Sequence, residues 1–151
     1  MLHENELPIN FYHTDSPKKK IYKIKINKKN KIIKKKLFKK FTSKDGSPDG
    51  MTLDSDKNLW VAHFHGACIS VFNKKAELLT RINFPAKNIT NCAFGGRNNN
   101  ELFVTTAKKG MSKAEMQKYR YSGNLFSLKT NKKGILQKKY TLSNEKERSL
   151  L

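Results

Sequence analysis

The chain has 151 residues, enough for one ordinary domain, and its 32 basic against 12 acidic residues give a formal net charge of +20. A hydrophobic share of 36% supports a core, but no apolar run approaches the roughly 20 residues that span a bilayer, and residues 1–10 lack a basic segment followed by an apolar one. Cys68 and Cys92 have no metal-ligand spacing, so we expect two buried thiols in a reducing, cytoplasmic environment and no membrane partner.

The predicted strands begin in a segment that holds 14 of the 28 lysines, between Lys18 and Lys44. Tyr22, Ile24 and Ile26 alternate there with polar residues, and this period of two predicts a half-buried strand with its lysines in water. Only four basic residues are arginines, whose forked guanidinium is best suited to phosphates and bases. We therefore attribute the charge to drift of the codons toward A and T, and we expect no specific nucleic-acid partner.

Short strands bounded by Gly, Asn, Asp or Lys turns continue through the rest of the chain. In chain order the predicted strands are 10–14, 20–27, 31–38, 50–54, 58–64, 68–73, 77–84, 92–96, 101–107, 123–129 and 134–142. One helix is predicted, at residues 112–120, as an inserted turn or two. The sequence therefore predicts an all-β fold.

These strands repeat with a regular period. The apolar run that begins at Leu59 recurs at Leu102, 43 residues later, and at Phe11, 48 residues earlier. Each run is followed by a second alternating strand. A repeat of about 40–50 residues that holds four short antiparallel strands is typical of a β-propeller blade.

The predicted blades are too few for a closed ring, because propellers use about four to eight. Residues 47–85 make one complete blade, residues 90–142 make a final blade followed by a tail at 143–151, and residues 1–46 hold the outer strands of a blade whose inner strand is missing. Such a partial β-propeller, of about two and a half blades, would leave apolar faces in water. We expect that self-association or a second chain completes the ring, or that the chain is a remnant.

Several segments together carry a family resemblance. They are "FYHTDSPKKKIYKIKIN", "SPDGMTLDSDKNLWVAHFHG", "PAKNITNCAFGG", "LFVTTAKKGMS" and "GNLFSL". In order and spacing they resemble the C-terminal half of the senescence-marker-protein/gluconolactonase family, the regucalcin-like sugar lactonases. The resemblance implies a six-bladed propeller that holds one divalent metal cation (Ca²⁺, Zn²⁺ or Mn²⁺) at the mouth of its channel and hydrolyses a sugar lactone.

The resemblance assigns Asp49, in the "PDG" turn, as a metal ligand and as a candidate catalytic base. Hard dications prefer oxygen ligands, and a nearby carboxylate can accept a proton from the water that attacks the lactone. Asp54 and Asp56 match ordinary turn positions and are expected to cap the next hairpin, whereas Asp45 has no assigned role. On residue chemistry alone, the alternative is that "SPDG" is only a turn.

Other candidate residues are interpreted as structural. The family's remaining metal ligands are a Glu of the first blade and an Asn that would fall at or just before Met1, and one carboxylate does not make a metal site. His63 and His65 share a strand face and could chelate zinc, but we expect packing or hydrogen bonding. Asp15 and Ser16 match a family motif and are interpreted as a turn.

The sequence therefore favours metal-dependent hydrolysis of a small-molecule sugar lactone. We expect the chain to act as the C-terminal half of the enzyme, with an N-terminal half-propeller supplied by another chain, and to be inactive alone. The alternatives are a non-catalytic, truncated propeller remnant and a basic polyanion-binding module that uses its lysine face.

Overall fold

Ten strands form three antiparallel sheets in the residues that the computed structural model describes, 9–29 and 31–135. Sheet A contains β1 (Ile9–Asp15), β2 (Lys20–Ile26) and β3 (Ile32–Lys40). Sheet B contains β4 (Ser47–Leu53), β5 (Leu59–Phe64), β6 (Cys68–Phe72) and β7 (Leu78–Asn83). Sheet C contains β8 (Asn88–Gly95), β9 (Glu101–Ala107) and β10 (Leu125–Lys129). The all-β prediction is confirmed.

Within each sheet the strands lie side by side in chain order and pair as antiparallel neighbours. A single 3₁₀ turn, Ser43–Asp45, links sheets A and B. The predicted helix forms as α1 (Lys113–Lys118), whose first turn is capped by Ser112 and Glu115 in a reciprocal capping box. The last predicted strand extends beyond residue 135, and most of it, like the tail at 143–151, lies outside the described residues.

Sheet B lies in the middle of the stack because both of its faces are apolar. Strand side chains alternate between faces, so Leu59 and Val61 of β5 pack toward sheet A while Trp60 and Ala62 pack toward sheet C. The core between sheets A and B is completed by Ile21, Phe41 and Phe72. The core between sheets B and C is completed chiefly by Ile69, Val71, Ile89, Cys92, Leu102 and Val104.

The alternation predicted that the lysines of β2 lie on the face opposite the core. In the structure they lie on the face that Ile21 packs against sheet B. Ile21 is fully buried against sheet B, and Lys23 and Lys25 follow it at intervals of two, so they share its face. Lys23 stays exposed and Lys25 is half-buried. The strand is apolar on both faces near its start, because Ile24 on the opposite face is also only 5% exposed. The face that β2 turns toward sheet B is therefore buried at Ile21 and reaches solvent at Lys23, with Lys25 half-buried.

The hairpin between β4 and β5 is built around Asp54, as predicted. Its buried carboxylate accepts hydrogen bonds from the Asn58 backbone N–H at 2.8 Å, the Asn58 side-chain amide at 2.9 Å and Trp60 Nε1 at 3.0 Å. Asp56 instead pairs with Lys132 at 2.7 Å on the surface. This pair, together with a backbone bridge between Asp54 and Gly134, ties the segment after β10 to the end of β4.

The two cysteines are buried and unpaired, which confirms the prediction of two buried thiols. Burial raises the pKa of the Cys92 thiol to about 12, so this thiol stays protonated and packs as an apolar side chain. Within residues 9–29 and 31–135, no helix has the length and apolar character needed to cross a bilayer.

Candidate functional site

Asp49 sits in a bulge near the start of β4. Pro48 pairs with His63 and Met51 pairs with Val61, so Asp49 and Gly50 together oppose a single residue of β5. Such a bulge bends its strand and redirects side chains, and bulges are common beside functional sites. β4 is also an edge strand of sheet B. The sequence therefore places the carboxylate where the backbone leaves the regular ladder.

Both neighbouring sheets contact this bulge. From β1, the Thr14 hydroxyl donates to the Asp49 carbonyl oxygen at 3.2 Å and lies 3.5 Å from Met51 Sδ. From β8, Asn91 packs over Gly50 so closely that a Cβ added to Gly50 would stand 2.1 Å from Asn91 Oδ1. Only glycine fits that contact. The three sheets therefore meet at the residues that carry Asp49.

The Asp49 carboxylate has no stabilising partner among the described residues. It makes no hydrogen bond or ion pair there, and partial burial raises its pKa above the ordinary value of 3.8. Because a nearby cation would stabilise the charged form, this carboxylate is suited to bind one and to accept a proton.

The described residues supply only part of the ligand set that a divalent cation needs. Asp49 supplies a hard oxygen ligand, but Asn91 Oδ1 already accepts a hydrogen bond from the Cys92 N–H at 2.8 Å. No group of three or more His, Cys, Asp or Glu side chains in residues 9–29 and 31–135 is arranged to hold a metal ion. A complete site at Asp49 therefore needs further oxygen ligands.

His63 and His65 are not arranged as a chelating pair. His63 is fully buried, and its Nδ1 lies 2.8 Å from the Asp45 carbonyl oxygen, so Nδ1 carries the hydrogen. Burial lowers the pKa of His63, and its Nε2 has no hydrogen-bond partner among the described residues. His65 lies in the turn after β5 with φ of 65°. The interpretation of His63 as packing and hydrogen bonding is confirmed.

Asp15 and Asp45 both have structural roles. Asp15 ends β1 and accepts from the Lys18 N–H at 3.3 Å, which confirms the predicted turn. Asp45 caps the 3₁₀ turn through Thr42 and pairs with Arg81 at 2.9 Å. Burial alone would raise the pKa of Asp45, but the hydrogen bonds from Thr42 and the Arg81 guanidinium hold it at about 2.

Two residues of the site were not singled out in the sequence, Thr14 and Asn91. Both lie inside the segments that carry the family resemblance, Asn91 just before "CAFGG" and Thr14 just before Asp15. A further signal was Gly50 itself, since a glycine in a strand often marks a bulge or the close approach of another group.

Known proteins match most of the chain. The family model described as "SMP-30/Gluconolactonase/LRE-like region" matches residues 9–108. The putative sugar lactone lactonase YvrE of Bacillus subtilis is 37% identical over 120 residues, which cover 77% of this chain and 40% of that protein. The pentonolactonase XacC of Haloferax volcanii is 31% identical over 98 residues, or 64% of this chain and 34% of that protein.

A solved structure matches the fold. The calcium-binding protein regucalcin from Agrobacterium tumefaciens superimposes with a TM-score of 0.79 and 21% identity, over 88% of this chain and 46% of that one. The three sheets are therefore part of a β-propeller of this type, as predicted, and the chain spans less than half the length of the relatives it matches. With two thirds of its residues matched by the family model, the chain belongs to the SMP-30/gluconolactonase/LRE-like family.

Proposed function

We propose that this chain forms part of a propeller that hydrolyses a sugar lactone with the help of a divalent cation, and that Asp49 binds the cation and accepts a proton. The observation that carries the proposal is the Asp49 carboxylate, which is half-buried, has a raised pKa and has no partner among the described residues. It lies on a bulged edge strand in a chain of a lactonase family.

The chemistry follows from the carboxylate and its support. When bound, a divalent cation supplies a Lewis acid that polarises the lactone carbonyl and lowers the pKa of a water. One oxygen of the Asp49 carboxylate would hold the cation, and the other would accept the proton of a water that attacks the lactone. Thr14 and Asn91 hold the bulge from two sides, through the Asp49 carbonyl and the Gly50 Cα, so the carboxylate is oriented before the substrate binds.

The names of the relatives support the substrate class. One is a putative sugar lactone lactonase and another is a pentonolactonase. The matched regucalcin is described as a calcium-binding protein, which supports a hard divalent cation for this site.

The outer faces of the stack support completion by further blades. On sheet A, Phe11 and Leu37 lie on the face that points away from sheet B and are 40% and 53% exposed. On sheet C, Leu125 lies on the face opposite the core residue Phe126 and is 64% exposed. Blades bury such faces against neighbours, so we propose that an N-terminal half-propeller or a second copy covers them.

A chimera tests the proposal. Residues 9–135 of this chain replace the matching segment of the Haloferax volcanii pentonolactonase, and the rate of lactone hydrolysis is measured with divalent cations present. We expect activity in the chimera, no turnover by the 151-residue chain alone, and loss of at least a hundredfold in activity with Asp49→Asn, the order of magnitude for a general base. Exchange of the exposed Asp56→Asn serves as the control. An active Asp49→Asn chimera would refute the assignment.

A further inference from the structure

A lysine-lined cleft lies at the end of β4 away from Asp49. Its larger part lies between sheets A and B, and its smaller part continues over the face of sheet A. Its larger part has a volume of about 510 Å³ and its smaller part about 210 Å³, and both are lined by Asn10 and Lys23. Six lysines line the two parts: Lys23, Lys25, Lys34, Lys36, Lys57 and Lys74. We call this feature the lysine cleft.

Strand pairing places the Cβ atoms of four of these lysines close together on one face of sheet A. Lys23 is the direct partner of Lys36, and Lys25 is the direct partner of Lys34. The two like-charged pairs are separated by one pair of residues and therefore share one face of the sheet. Directly opposed side chains on antiparallel strands have Cβ atoms about 4.5–5.5 Å apart, and like charges in this position are destabilising. Lys57 and Lys74 add two more charges from the hairpins of sheet B.

No carboxylate lies within ion-pair distance of a cleft lysine in the part of the chain that the structure describes, although Asp56 and Glu77 line a neighbouring pocket with Lys74. The four ion pairs found there use Lys18, Arg81, Lys87 and Lys132. None of the six cleft lysines takes part in them.

Other lysines of β3 have structural partners. Lys39 donates to the Ala76 carbonyl oxygen at 3.2 Å and covers the Phe72 ring, and Lys35 lies 4.3 Å from the centre of the Tyr22 ring. In the cleft, the corresponding contact is weaker, since Lys23 lies 5.9 Å from the centre of the Tyr12 ring. Contacts of this kind therefore account for Lys35 and Lys39 better than for Lys23.

We propose that the lysine cleft binds a small anion that carries several phosphate groups. A concave site lined by charges of one sign concentrates the potential and attracts counter-ions. Lysine binds phosphate as a point charge, and six of them around a site of a few hundred Å³ match a compact oligophosphate. A nucleic-acid duplex is favoured less, because its backbone is too broad to enter a cleft of this size and would meet the protein's convex surface instead.

The apolar wall of the cleft indicates how the ligand is oriented. Tyr12, Leu53 and Ile135 line the same 510 Å³ part as Lys23, Lys57 and Lys74. An organic group attached to the phosphates would pack on this wall, while the phosphates would face the lysines of sheet A. The site is separate from Asp49, so it stands or falls independently of the lactonase proposal.

Titration calorimetry on the full chain tests this inference at an ionic strength near 0.15 M, where long-range surface attraction is largely screened. The probes are inorganic tripolyphosphate, ATP and a 20-base-pair DNA duplex. The cleft variant carries Lys23→Gln with Lys36→Gln, and the matched control carries Lys113→Gln with Lys129→Gln, two exposed lysines outside the cleft. We expect the cleft variant to bind tripolyphosphate at least tenfold more weakly and the control to change less than twofold.

The other outcomes also decide the question. Equal loss of tripolyphosphate affinity in the cleft variant and the control would show that binding depends only on general surface charge, and it would overturn the proposal. Absence of binding by the wild type would also overturn it. Tighter binding of ATP than of tripolyphosphate would identify a nucleotide as the ligand, and equal binding would identify the phosphate chain alone. If the duplex bound most tightly and depended on the same two lysines, the small-anion assignment would be wrong.

A thermal melt guards against misfolding of the cleft variant. Removing both members of one like-charged pair, Lys23 and Lys36, should leave the melting temperature unchanged or raise it when no anion is present. Tripolyphosphate should then raise the melting temperature of the wild type more than that of the variant. A second variant, Lys25→Gln with Lys34→Gln, should reproduce both effects, and its failure to do so would contradict a shared site.

Discussion

The side-chain amide oxygen of Asn91 lies so close to Gly50 that a Cβ built on Gly50 would be only 2.1 Å from it. This contact joins β8 of sheet C to the bulge of β4 that carries Asp49. It therefore makes the position of the candidate catalytic carboxylate depend on packing between two sheets. The contact can be tested by changing the size of each residue in turn.

Gly50→Ala should lower the free energy of unfolding by roughly 1–3 kcal/mol, because the new methyl group overlaps the Asn91 side chain. Asn91→Gly in the same chain removes all the overlapping side-chain atoms and should restore part of that loss. Urea unfolding of the two single variants and the double variant measures the coupling. Gly110→Ala is the control. It strains a backbone with φ of 72°, but nothing lies within 4 Å of a Cβ built there, so Asn91→Gly should not rescue it. Additive losses at position 50 would contradict the contact.

Asp54→Ala should be strongly destabilising. Its carboxylate is fully buried and accepts from Asn58 twice and from Trp60 Nε1 once, so truncation leaves buried donors without acceptors. We expect a loss of roughly 2–4 kcal/mol in the free energy of unfolding. The matched change Asp56→Ala, which breaks an exposed ion pair with Lys132, should cost less than about 1 kcal/mol. Similar losses for the two aspartates would count against this description of the hairpin.

Unlike Asp54→Ala, Asp49→Asn should raise the free energy of unfolding of the metal-free chain at neutral pH. Burial raises the pKa of Asp49 in the folded state, so the ionised carboxylate costs stability once the pH exceeds its ordinary value of 3.8. The variant avoids this cost, and its advantage should disappear at lower pH, where both states are protonated. Thermal melts at several pH values with a chelator present test the sign. A less stable variant at neutral pH would mean that the carboxylate has a stabilising partner.

His63 should make the fold sensitive to acid. Its pKa is lowered below 6.5 by burial, so stability is complete above that pH and is lost as the pH falls through the folded-state value. A charged ring would bury an N–H at Nε2 beside Phe41, with no acceptor among the described residues. Urea unfolding between about pH 7.5 and about pH 5 should show this slope. His63→Phe should flatten it and cost roughly 1–3 kcal/mol at neutral pH through the orphaned Asp45 carbonyl.

The exposed His13 provides a control for that experiment. His13→Gln should keep the acid sensitivity of the wild type, because its ring lies outside the core. If His63→Phe kept the full slope, the acid sensitivity would belong to another group.

Local patterns predicted the strands because each blade is built from short hairpins. Alternation of apolar and polar residues located β2, and the Asp54–Asp56 turn located the start of β5, since both signals act over a few residues. The face of Lys23 was not predictable in this way, because Ile21 and Ile24 make both faces of β2 apolar and the choice depends on which face sheet B covers.

The contacts around the candidate site join residues that are far apart in the sequence. Asp45 and Arg81 are 36 residues apart, and Thr14 reaches Asp49 across 35 residues. Neither pair follows from spacing, since each depends on how two separate elements pack. A glycine at position 50 of a strand indicates that another group approaches closely, but the sequence does not identify that group as Asn91, which lies on another sheet.

Calorimetric titration of Ca²⁺ into the pentonolactonase chimera that carries residues 9–135 tests directly whether Asp49 binds a cation. We expect binding that Asp49→Asn weakens by at least tenfold and that Asp56→Asn leaves unchanged, because the Asp49 carboxylate at the bulge of β4 has no partner among the described residues, whereas Asp56 pairs with Lys132. Ca²⁺ binding of equal strength in the chimera and its Asp49→Asn variant would show that this carboxylate is not a ligand.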